Sequence, residues 1–204
     1  MQSDGCNLLI NAGNLATAAQ LQSKLTDYGV NHLNHLIVTH PHLDHFGGVF
    51  AFPADFEIRQ VHDNGTNNFE WVYFDHYLQW RANFEYSPLQ KGAHLRCGSA
   101  EVAVIHRQSD ELDSLGLNAG SMVLWVAMEN QRFLLAADIP QAIEKQLLEE
   151  EHLLARFAST QVLKVSHHGS DAAASKPWLD NLNTKRAVIS VGKGNRWNRP
   201  YSLP

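Results

Sequence analysis

The segment Thr39-His40-Pro41-His42-Leu43-Asp44-His45 places three imidazoles and one carboxylate within six residues. It follows the apolar run Leu36-Ile37-Val38, which predicts a buried strand that ends in a loop. Such loops commonly display the side chains that carry function. His40 and His42 can converge on one cation, whereas Asp44 and His45 can reach a second. Imidazole and carboxylate ligands together suit zinc, manganese or iron, so the segment predicts a metal site.

A second candidate ligand, Asp138, follows a predicted pair of strands at residues 122–128 and 133–137. It precedes Ile139-Pro140, and residues 142–154 have a helix-forming composition. Because proline is favoured in the first turn of a helix, Asp138 can be the N-cap of that helix. A carboxylate at a strand end can also bridge two metal ions. The two roles are compatible.

The predicted strand at residues 162–165 ends in Ser166-His167-His168-Gly169-Ser170. Adjacent side chains at a strand end point in different directions. One histidine can therefore bind metal while the other contacts substrate or a group that orients a ligand. A last strand, at residues 187–190, leads to the loop 192–200. This loop is basic and contains glycine, which predicts either a phosphate-binding loop or a surface turn.

Composition sets the broad class of protein. The 204 residues, 44% of them hydrophobic, predict a single domain over residues 1–204 with a substantial core. The net charge is −5, but residues 161–204 hold seven bases and two acids. This basic end predicts a face that favours an anionic substrate, or else a solvated surface.

No apolar run approaches about 18 residues, and the chain shows no basic-then-apolar leader. We therefore expect no membrane segment in this chain and take a cytoplasmic location as the default. Cys6 and Cys97 are too few and too isolated to predict a disulfide scaffold or a thiolate metal site.

Two helices are predicted before Asp138. Leu21, Leu25 and Tyr28 share one face of a helix that ends near Gly29. Eight of the nineteen aromatic residues fall between Phe69 and Tyr86, many of them three or four residues apart. This spacing predicts a helix that either packs on the domain or forms a lid or wall over the metal site.

The order of the motifs resembles the metallo-β-lactamase superfamily. The motifs are a strand followed by Thr-His-Pro-His-Leu-Asp-His-Phe-Gly-Gly, then Ala-Ala-Asp-Ile, Lys-Val-Ser-His-His-Gly-Ser and Ile-Ser-Val-Gly-Lys-Gly-Asn-Arg. Within the superfamily, the chain most resembles the soluble hydrolase domain of the competence (DNA-uptake) protein ComEC and its free-standing relatives. The likeness runs from about residue 8 to residue 200. It implies an α/β fold, a four-layer αββα sandwich whose two mixed sheets face each other, with the metals at their shared edge.

The resemblance also implies a ligand set for two divalent ions, with zinc the first expectation and manganese the second. His40 and His42 would bind one metal, Asp44 and His45 the other, and Asp138 would bridge the two. The His-His-Gly motif would supply a further ligand to the second metal. His168 is preferred to His167 because the superfamily's ligand commonly precedes the glycine.

The chain also departs from the pattern of its relatives. Residues 117–121 lack the histidine that many members supply to the first metal, which predicts an ion that is weakly held or completed by water. Asn11 stands where an aspartate is usual, and Arg199 where a histidine is expected. Most of the opening strand of relatives is missing, which predicts a fragment or a shortened member.

These observations predict metal-assisted hydrolysis, in which a hydroxide that bridges the metals attacks a phosphorus or carbonyl centre. Asp44 and His167 are assigned to catalysis. The candidates for substrate binding are Lys193, Asn195, Arg196 and Arg199. The basic end of the chain and the resemblance favour a phosphodiester. Because the overall charge is acidic, we expect an anionic small molecule or a short nucleic acid rather than a long duplex. No obligate protein partner is evident.

Two alternatives stay open at this point. A lactone- or thioester-type hydrolase on the same metals would use a pocket built from the aromatics between Phe69 and Tyr86. A metal-binding module with little catalytic activity would follow from the missing histidine and the changes at Asn11 and Arg199. Fold analogy alone does not choose among these chemistries.

Overall fold

The computed structural model describes residues 1–66, 72–107 and 116–201 of the chain. The chain divides into two compact units, Met1–Leu89 with Cys97–Ser99, and Gln90–Arg96 with Ala100–Pro204. Each unit has its own sheet, helices and apolar core. The single domain expected over residues 1–204 stays a prediction.

The first unit contains a five-stranded sheet in the order β1-β2-β3-β4-β5, in which β1 and β2 are antiparallel and the other neighbours are parallel. Two short 3-10 turns, Leu15–Thr17 and Gly47–Ala51, complete the described elements. The strands and helices are β1 Gln2–Ser3, β2 Cys6–Ile10, α1 Ala18–Asp27, β3 His32–Val38, α2 Leu43–Phe46, β4 Glu57–Asp63, α3 Val72–Arg81 and β5 Glu85–Tyr86.

The strand pairing of this unit positions the first candidate motif. β2 and β3 are parallel, with Ile10 opposite Ile37, so the residues after both strands emerge at the same edge of the sheet. This places Asn11 beside Thr39 and the histidines that follow. Gly48 lies so close to the carbonyl of Ala12 that a Cβ would overlap it, which explains a glycine after the motif.

The described part of the aromatic segment forms α3 and the residues after it, and four of its aromatic side chains pack in or against the core of the first unit, whereas Tyr73 and Tyr86 are exposed. Phe74 and Tyr77 are buried, and Trp80 and Phe84 pack against the same core. Tyr77 also donates its hydroxyl to Asp63 at the end of β4, at 3.0 Å. The packing interpretation is confirmed for these residues, whereas Phe69 and Trp71 lie outside the described residues.

Two expectations for the first unit are wrong. α1 ends at Asp27, and Tyr28 is 70% exposed instead of sharing the apolar face of Leu21 and Leu25. Cys6 and Cys97 form a disulfide across a sequence separation of 91. The sequence does not show that these two cysteines pair, because their proximity depends on where the turn 97–99 packs against the start of the chain. There, the backbone N–H of Ser99 donates to the hydroxyl of Ser3 at 3.0 Å.

The second unit contains a six-stranded sheet in the order β11-β10-β9-β8-β7-β6. β9, β10 and β11 are parallel, whereas β7, β8 and β9 are antiparallel. The elements are β6 His94–Cys97, β7 Ala100–His106, α4 Gly116–Ala119, β8 Val123–Met128, β9 Gln131–Leu135, α5 Gln141–Leu148, α6 Glu151–Ser159, β10 Val162–Lys164, a 3-10 turn at Ser166–Gly169, α7 Lys176–Leu182 and β11 Arg186–Val188.

The parallel part of this sheet gathers three candidate segments at one edge. Asp138 follows β9, the His167-His168 turn follows β10, and the loop 192–200 follows β11. Carboxyl ends of adjacent parallel strands lie at the same edge of a sheet. Sequence segments that are far apart therefore become neighbours within this unit.

Several boundaries differ from expectation, among them the last strand, which is Arg186–Val188 instead of 187–190. β9 stops at Leu135, and Ala137 adopts a left-handed conformation with φ of 48° that a strand cannot continue through. The expected helix at 142–154 is two helices, because Glu150 is non-helical (φ −86°, ψ 88°). The N-cap of α5 is Pro140, not Asp138.

Within the described residues, no helix is both long and apolar enough to cross a membrane.

Candidate functional site

The first candidate ligand set lies in the loop after β3 and in the short helix α2. His40 Nε2 lies 3.0 Å from His42 Nδ1, and the rings of His40 and His45 are 4.1 Å apart between centroids. Nitrogens that share one zinc ion at about 2.0–2.1 Å each lie about 3 Å apart. His40 and His42 therefore fit a common ion. Asp44 Oδ2 lies 3.9 Å from His45 Nε2, so these two atoms would have to approach each other by about half an ångström to share one ion in tetrahedral geometry.

Asn11 connects the end of β2 to this loop. Its Oδ1 accepts the backbone N–H of Thr39 at 2.9 Å, and its Nδ2 lies 3.1 Å from Thr39 Oγ1 and 2.9 Å from His45 Nδ1. The Thr39 hydroxyl in turn lies 3.1 Å from His40 Nδ1. A hydroxyl can donate or accept, so it permits either tautomer of His40.

The second candidate ligand set lies where β9 and β10 end. His168 Nδ1 lies 2.6 Å from the carbonyl oxygen of Ser190, so Nδ1 carries a proton. In the neutral ring, Nε2 then has the lone pair, and it lies 3.1 Å from Asp138 Oδ2. Two acceptors at this distance repel each other unless a proton or a metal ion lies between them. Asp138 Oδ2 and His168 Nε2 are therefore suited to bind a cation between them.

The His167-His168 turn has a strained backbone. Both residues are left-handed, with φ of 46° and 56°, and this region costs roughly 1 kcal/mol or more for a non-glycine residue. Strain of this kind persists only where surrounding contacts over-determine the conformation.

Glu144 supplies such contacts. This residue of α5 is fully buried. Its Oε1 accepts the hydroxyl of Ser166 at 2.8 Å and the backbone N–H of Ala174 at 2.7 Å, and its Oε2 accepts the backbone N–H of Ser175 at 2.8 Å. One carboxylate therefore holds both ends of the segment 166–175, which contains both histidines.

Lys164, the last residue of β10, supports the aspartate. Its Nζ donates to the carbonyl of Ala137 at 3.0 Å and lies 3.5 Å from Asp138 Oδ1. A positive charge beside a carboxylate favours the ionised form. Lys164 therefore fixes the turn before Asp138 and places a positive charge near its carboxyl group.

His167 and His168 point in different directions, as expected for adjacent residues. Their ring centroids are 6.2 Å apart. His167 Nε2 lies 3.3 Å from the side-chain nitrogen of Asn118 in α4, whereas His168 lies beside Asp138. Because α4 occupies the segment without the expected third histidine, Asn118 is the polar side chain that this segment brings to His167.

The loop 192–200 docks onto the same turn. The backbone N–H of Tyr201 donates to the carbonyl of Gly169 at 2.9 Å, and Pro200 packs against Gly169. Asn195 shapes the loop: its Nδ2 donates to the carbonyls of Gly192 and Arg199 at 2.9 and 2.7 Å. Its Oδ1 accepts the backbone N–H groups of Trp197 and Arg199. Arg196 and Arg199 lie over the ring of Trp197, which is 57% exposed.

Glu144 and Lys164 were not singled out by the sequence. Glu144 is one of several acids in an amphipathic helix, and its only signal is a position adjacent to Ile143 and three residues before Leu147, both buried. Lys164 precedes the His-His motif, but nothing in its spacing shows which carbonyl it binds.

The family model that describes the metallo-beta-lactamase superfamily matches residues 1–193. The chain belongs to this superfamily. The predicted family and fold class are thereby confirmed. A similar curated protein is ComE operon protein 3 of Bacillus subtilis (strain 168), 25% identical over 180 residues, which are 87% of this chain and 22% of that relative. The chain thus spans less than a quarter of the relative's length.

Solved structures of metallo-β-lactamase fold resemble the chain at low sequence identity. The metallo-beta-lactamase fold protein YhfI of Bacillus subtilis is 12% identical with a TM-score of 0.54, covering 93% of this chain and 78% of that one. A diphosphatase of the PhnP family is 13% identical with a TM-score of 0.51, covering 91% and 71%. A mutant metallo-beta-lactamase of Cronobacter sakazakii is 17% identical with a TM-score of 0.51, covering 81% and 70%. These likenesses concern the fold alone.

Proposed function

We propose that this superfamily member is a metal-dependent hydrolase of phosphodiester bonds. The observation that carries the proposal is the basic loop 192–200, which is docked on the turn that holds His167 and His168. A substrate held by the loop would lie beside candidate metal ligands. The superfamily assignment makes a metal-dependent hydrolase the expected class, and the loop chemistry narrows the substrate to an anion.

The assignment of ligands is the one that the resemblance implies. His40 and His42 would hold one divalent ion, with zinc preferred to manganese. Asp44, His45 and His168 would hold the second, and Asp138 would bridge them. When bound, such ions lower the pKa of a coordinated water towards neutrality and offset negative charge that develops on phosphate oxygens. Lys164 would hold the turn before Asp138, and Glu144 would keep His168 in place.

The substrate is assigned to the arginines and to Lys193. Guanidinium groups bind phosphate oxygens through paired hydrogen bonds, and a lysine ammonium acts as a point charge. Lys193 and Arg196 are exposed and Arg199 is half-buried. Asn195 would support binding by shaping the loop, because its amide is engaged by the loop backbone. His167 would contact a phosphate oxygen of the bound substrate.

Two further features bear on the alternatives and on location. Of the aromatics that would line a lactone or thioester pocket, Phe74, Tyr77, Trp80 and Phe84 pack in or against the core of the first unit, so they leave no support for that substrate class. The disulfide favours an oxidising compartment over the cytoplasmic default, because reducing compartments seldom sustain structural disulfides.

The first test is hydrolysis of bis(p-nitrophenyl) phosphate by metal-stripped protein reconstituted with zinc or manganese. We expect turnover to return when metal is added back. We expect the His42→Ala variant to show no turnover, because it lacks one of the two nitrogens that would bind the first ion. Bound metal without turnover on this ester would favour the binding-module alternative.

A second experiment tests whether the loop 192–200 binds the substrate. Arg199→Gln is expected to raise KM by about tenfold, since charge-assisted bonds contribute roughly 1.5–3 kcal/mol. Lys185→Gln, which removes a charge from an exposed site outside the loop, is the matched control. Equal changes in KM for the two variants would argue against a specific role for the loop.

A further inference from the structure

The orientation of the Asn11 amide is fixed by its partner on β3. The backbone N–H of Thr39 can only donate, so the atom 2.9 Å away must be the amide oxygen. The amide NH2 is then turned toward Thr39 Oγ1 and His45 Nδ1. No other assignment of the amide atoms satisfies the Thr39 N–H.

This orientation determines where His45 carries its proton. An amide NH2 has no lone pair to offer, so His45 Nδ1 at 2.9 Å must accept the hydrogen bond. A neutral imidazole has one N–H, and here that N–H is on Nε2. His45 is 2% exposed, so water has little access to relax this constraint.

The protonated nitrogen is the one that faces Asp44. His45 Nε2 lies 3.9 Å from Asp44 Oδ2, and a metal ion shared by these residues requires a lone pair on Nε2. Moving the proton to Nδ1 would place two donors opposite each other at the Asn11 contact. Metal binding through Nε2 must therefore break the hydrogen bond to Asn11 or turn the amide away from Thr39.

We propose that Asn11 is a positioning residue that holds His45 in the tautomer protonated at Nε2 and thereby lowers the metal affinity of the site shared with Asp44. This inference rests on the metal assignment of the proposed function and deepens it. An aspartate at position 11 reverses the effect, because a carboxylate only accepts. It would take the N–H and O–H of Thr39 together with the Nδ1–H of His45, which leaves Nε2 with its lone pair.

The test combines two measurements at pH 7.5 on the wild type and Asn11→Asp. Long-range 15N NMR of the metal-free proteins reports which ring nitrogen of His45 is protonated, with Nε2 expected in the wild type and Nδ1 in the variant. Zinc titration against a chromophoric chelator is expected to show affinity about tenfold higher in the variant, the lower end of what partners of ligating histidines contribute.

Two control variants separate the effect of the His45 tautomer on zinc affinity from the effect of an added negative charge. Asn14→Asp adds the same charge three residues away, at a position whose side chain caps the turn 15–17, and is expected to change zinc affinity less than twofold. Asn11→Ala removes the donor without adding charge and is expected to raise zinc affinity by less than Asn11→Asp. Thermal unfolding of each variant shows whether it folds.

The outcomes separate this inference from the proposed function. An altered tautomer with tighter zinc binding supports the inference, even if no phosphodiester is cleaved. An unchanged tautomer, an affinity gain no larger than that of Asn14→Asp, or a lack of zinc binding in every variant overturns it.

Discussion

His168 and His45 are both candidate ligands for the second metal, yet their Nδ1 atoms have opposite partners. His168 Nδ1 faces a carbonyl oxygen at 2.6 Å, and His45 Nδ1 faces an amide nitrogen at 2.9 Å. The carbonyl keeps a proton on Nδ1 and offers the Nε2 lone pair, whereas the amide does the reverse. The availability of a histidine for metal therefore depends on its partner as much as on its own position.

The two histidines also differ in how their backbones are held. The His168 turn is left-handed and is held by Glu144, a buried carboxylate that accepts three hydrogen bonds. The His45 helix follows a strand end that is held by Asn11, which both donates and accepts. Glu144 only accepts hydrogen bonds, whereas the Asn11 amide also donates one toward a ring nitrogen.

The largest effect should come from removing the support of the His168 turn. Glu144→Ala leaves the N–H groups of Ala174 and Ser175 and the hydroxyl of Ser166 without their acceptor. We expect the free energy of unfolding to fall by about 3 kcal/mol, measured by urea denaturation. Glu149→Ala, at the exposed end of the same helix, is the control and should change it by less than about 0.5 kcal/mol. Similar losses in both variants would contradict a special role for Glu144.

A direct comparison of the two ligands should give a smaller effect. His168→Ala is expected to weaken zinc binding about tenfold more than His45→Ala, because His45 must give up a hydrogen bond to bind metal. A factor of ten corresponds to about 1.4 kcal/mol. Equal losses would show that the tautomer of His45 does not limit binding. His167→Ala serves as the neighbouring control, with zinc affinity retained and hydrolysis reduced.

The smallest effect concerns acid stability in the first unit. Burial lowers the pKa of His35, with the nearby His62 adding to the effect. Burial also lowers the pKa of His62, against the opposing hydrogen bond to Ser87. Both pKa values lie below the ordinary value of about 6.5, so below that pH the unfolded chain binds protons that the folded chain does not.

Stability should therefore fall as the pH drops below about 6.5 and level off below the lowered pKa values. A series of urea midpoints between pH 7.5 and 4.5 measures this slope. The double variant His35→Gln, His62→Gln should show a smaller fall in stability over this pH range. A slope identical to that of the wild type would mean that other groups account for the acid sensitivity.

Much of the first ligand set was predictable because it is contiguous. Residues 39–45 follow an apolar strand, and their order alone places His40 and His42 near each other. The second set required parallel pairing of β9, β10 and β11, which brings Asp138 and His168 to one edge from distant segments. The predicted order of strands was compatible with parallel pairing, but the sequence alone does not determine which residues of these strands lie opposite each other.

Other features could not be predicted because they depend on single contacts. Asn11 was visible as a departure from its relatives, but its effect on His45 depends on the N–H of Thr39. In the sequence, Glu144 looks like any glutamate on the surface of a helix, and only the structure shows that its side chain is buried. The break at Glu150 interrupts a run of helix formers, and the side chain of Glu150 accepts a hydrogen bond from Lys91 at 2.7 Å, a contact between residues that are far apart in the sequence.

The disulfide has a consequence for chain connectivity. Cys6 and Cys97 enclose 90 intervening residues, among them Asn11 and all four candidate ligands of the first set. A protease that cuts once anywhere inside this loop leaves a molecule of unchanged mass apart from one added water. The two fragments separate on a denaturing gel only after reduction. A preparation that migrates as one band without reductant can therefore be nicked, and its integrity should be judged on reduced samples.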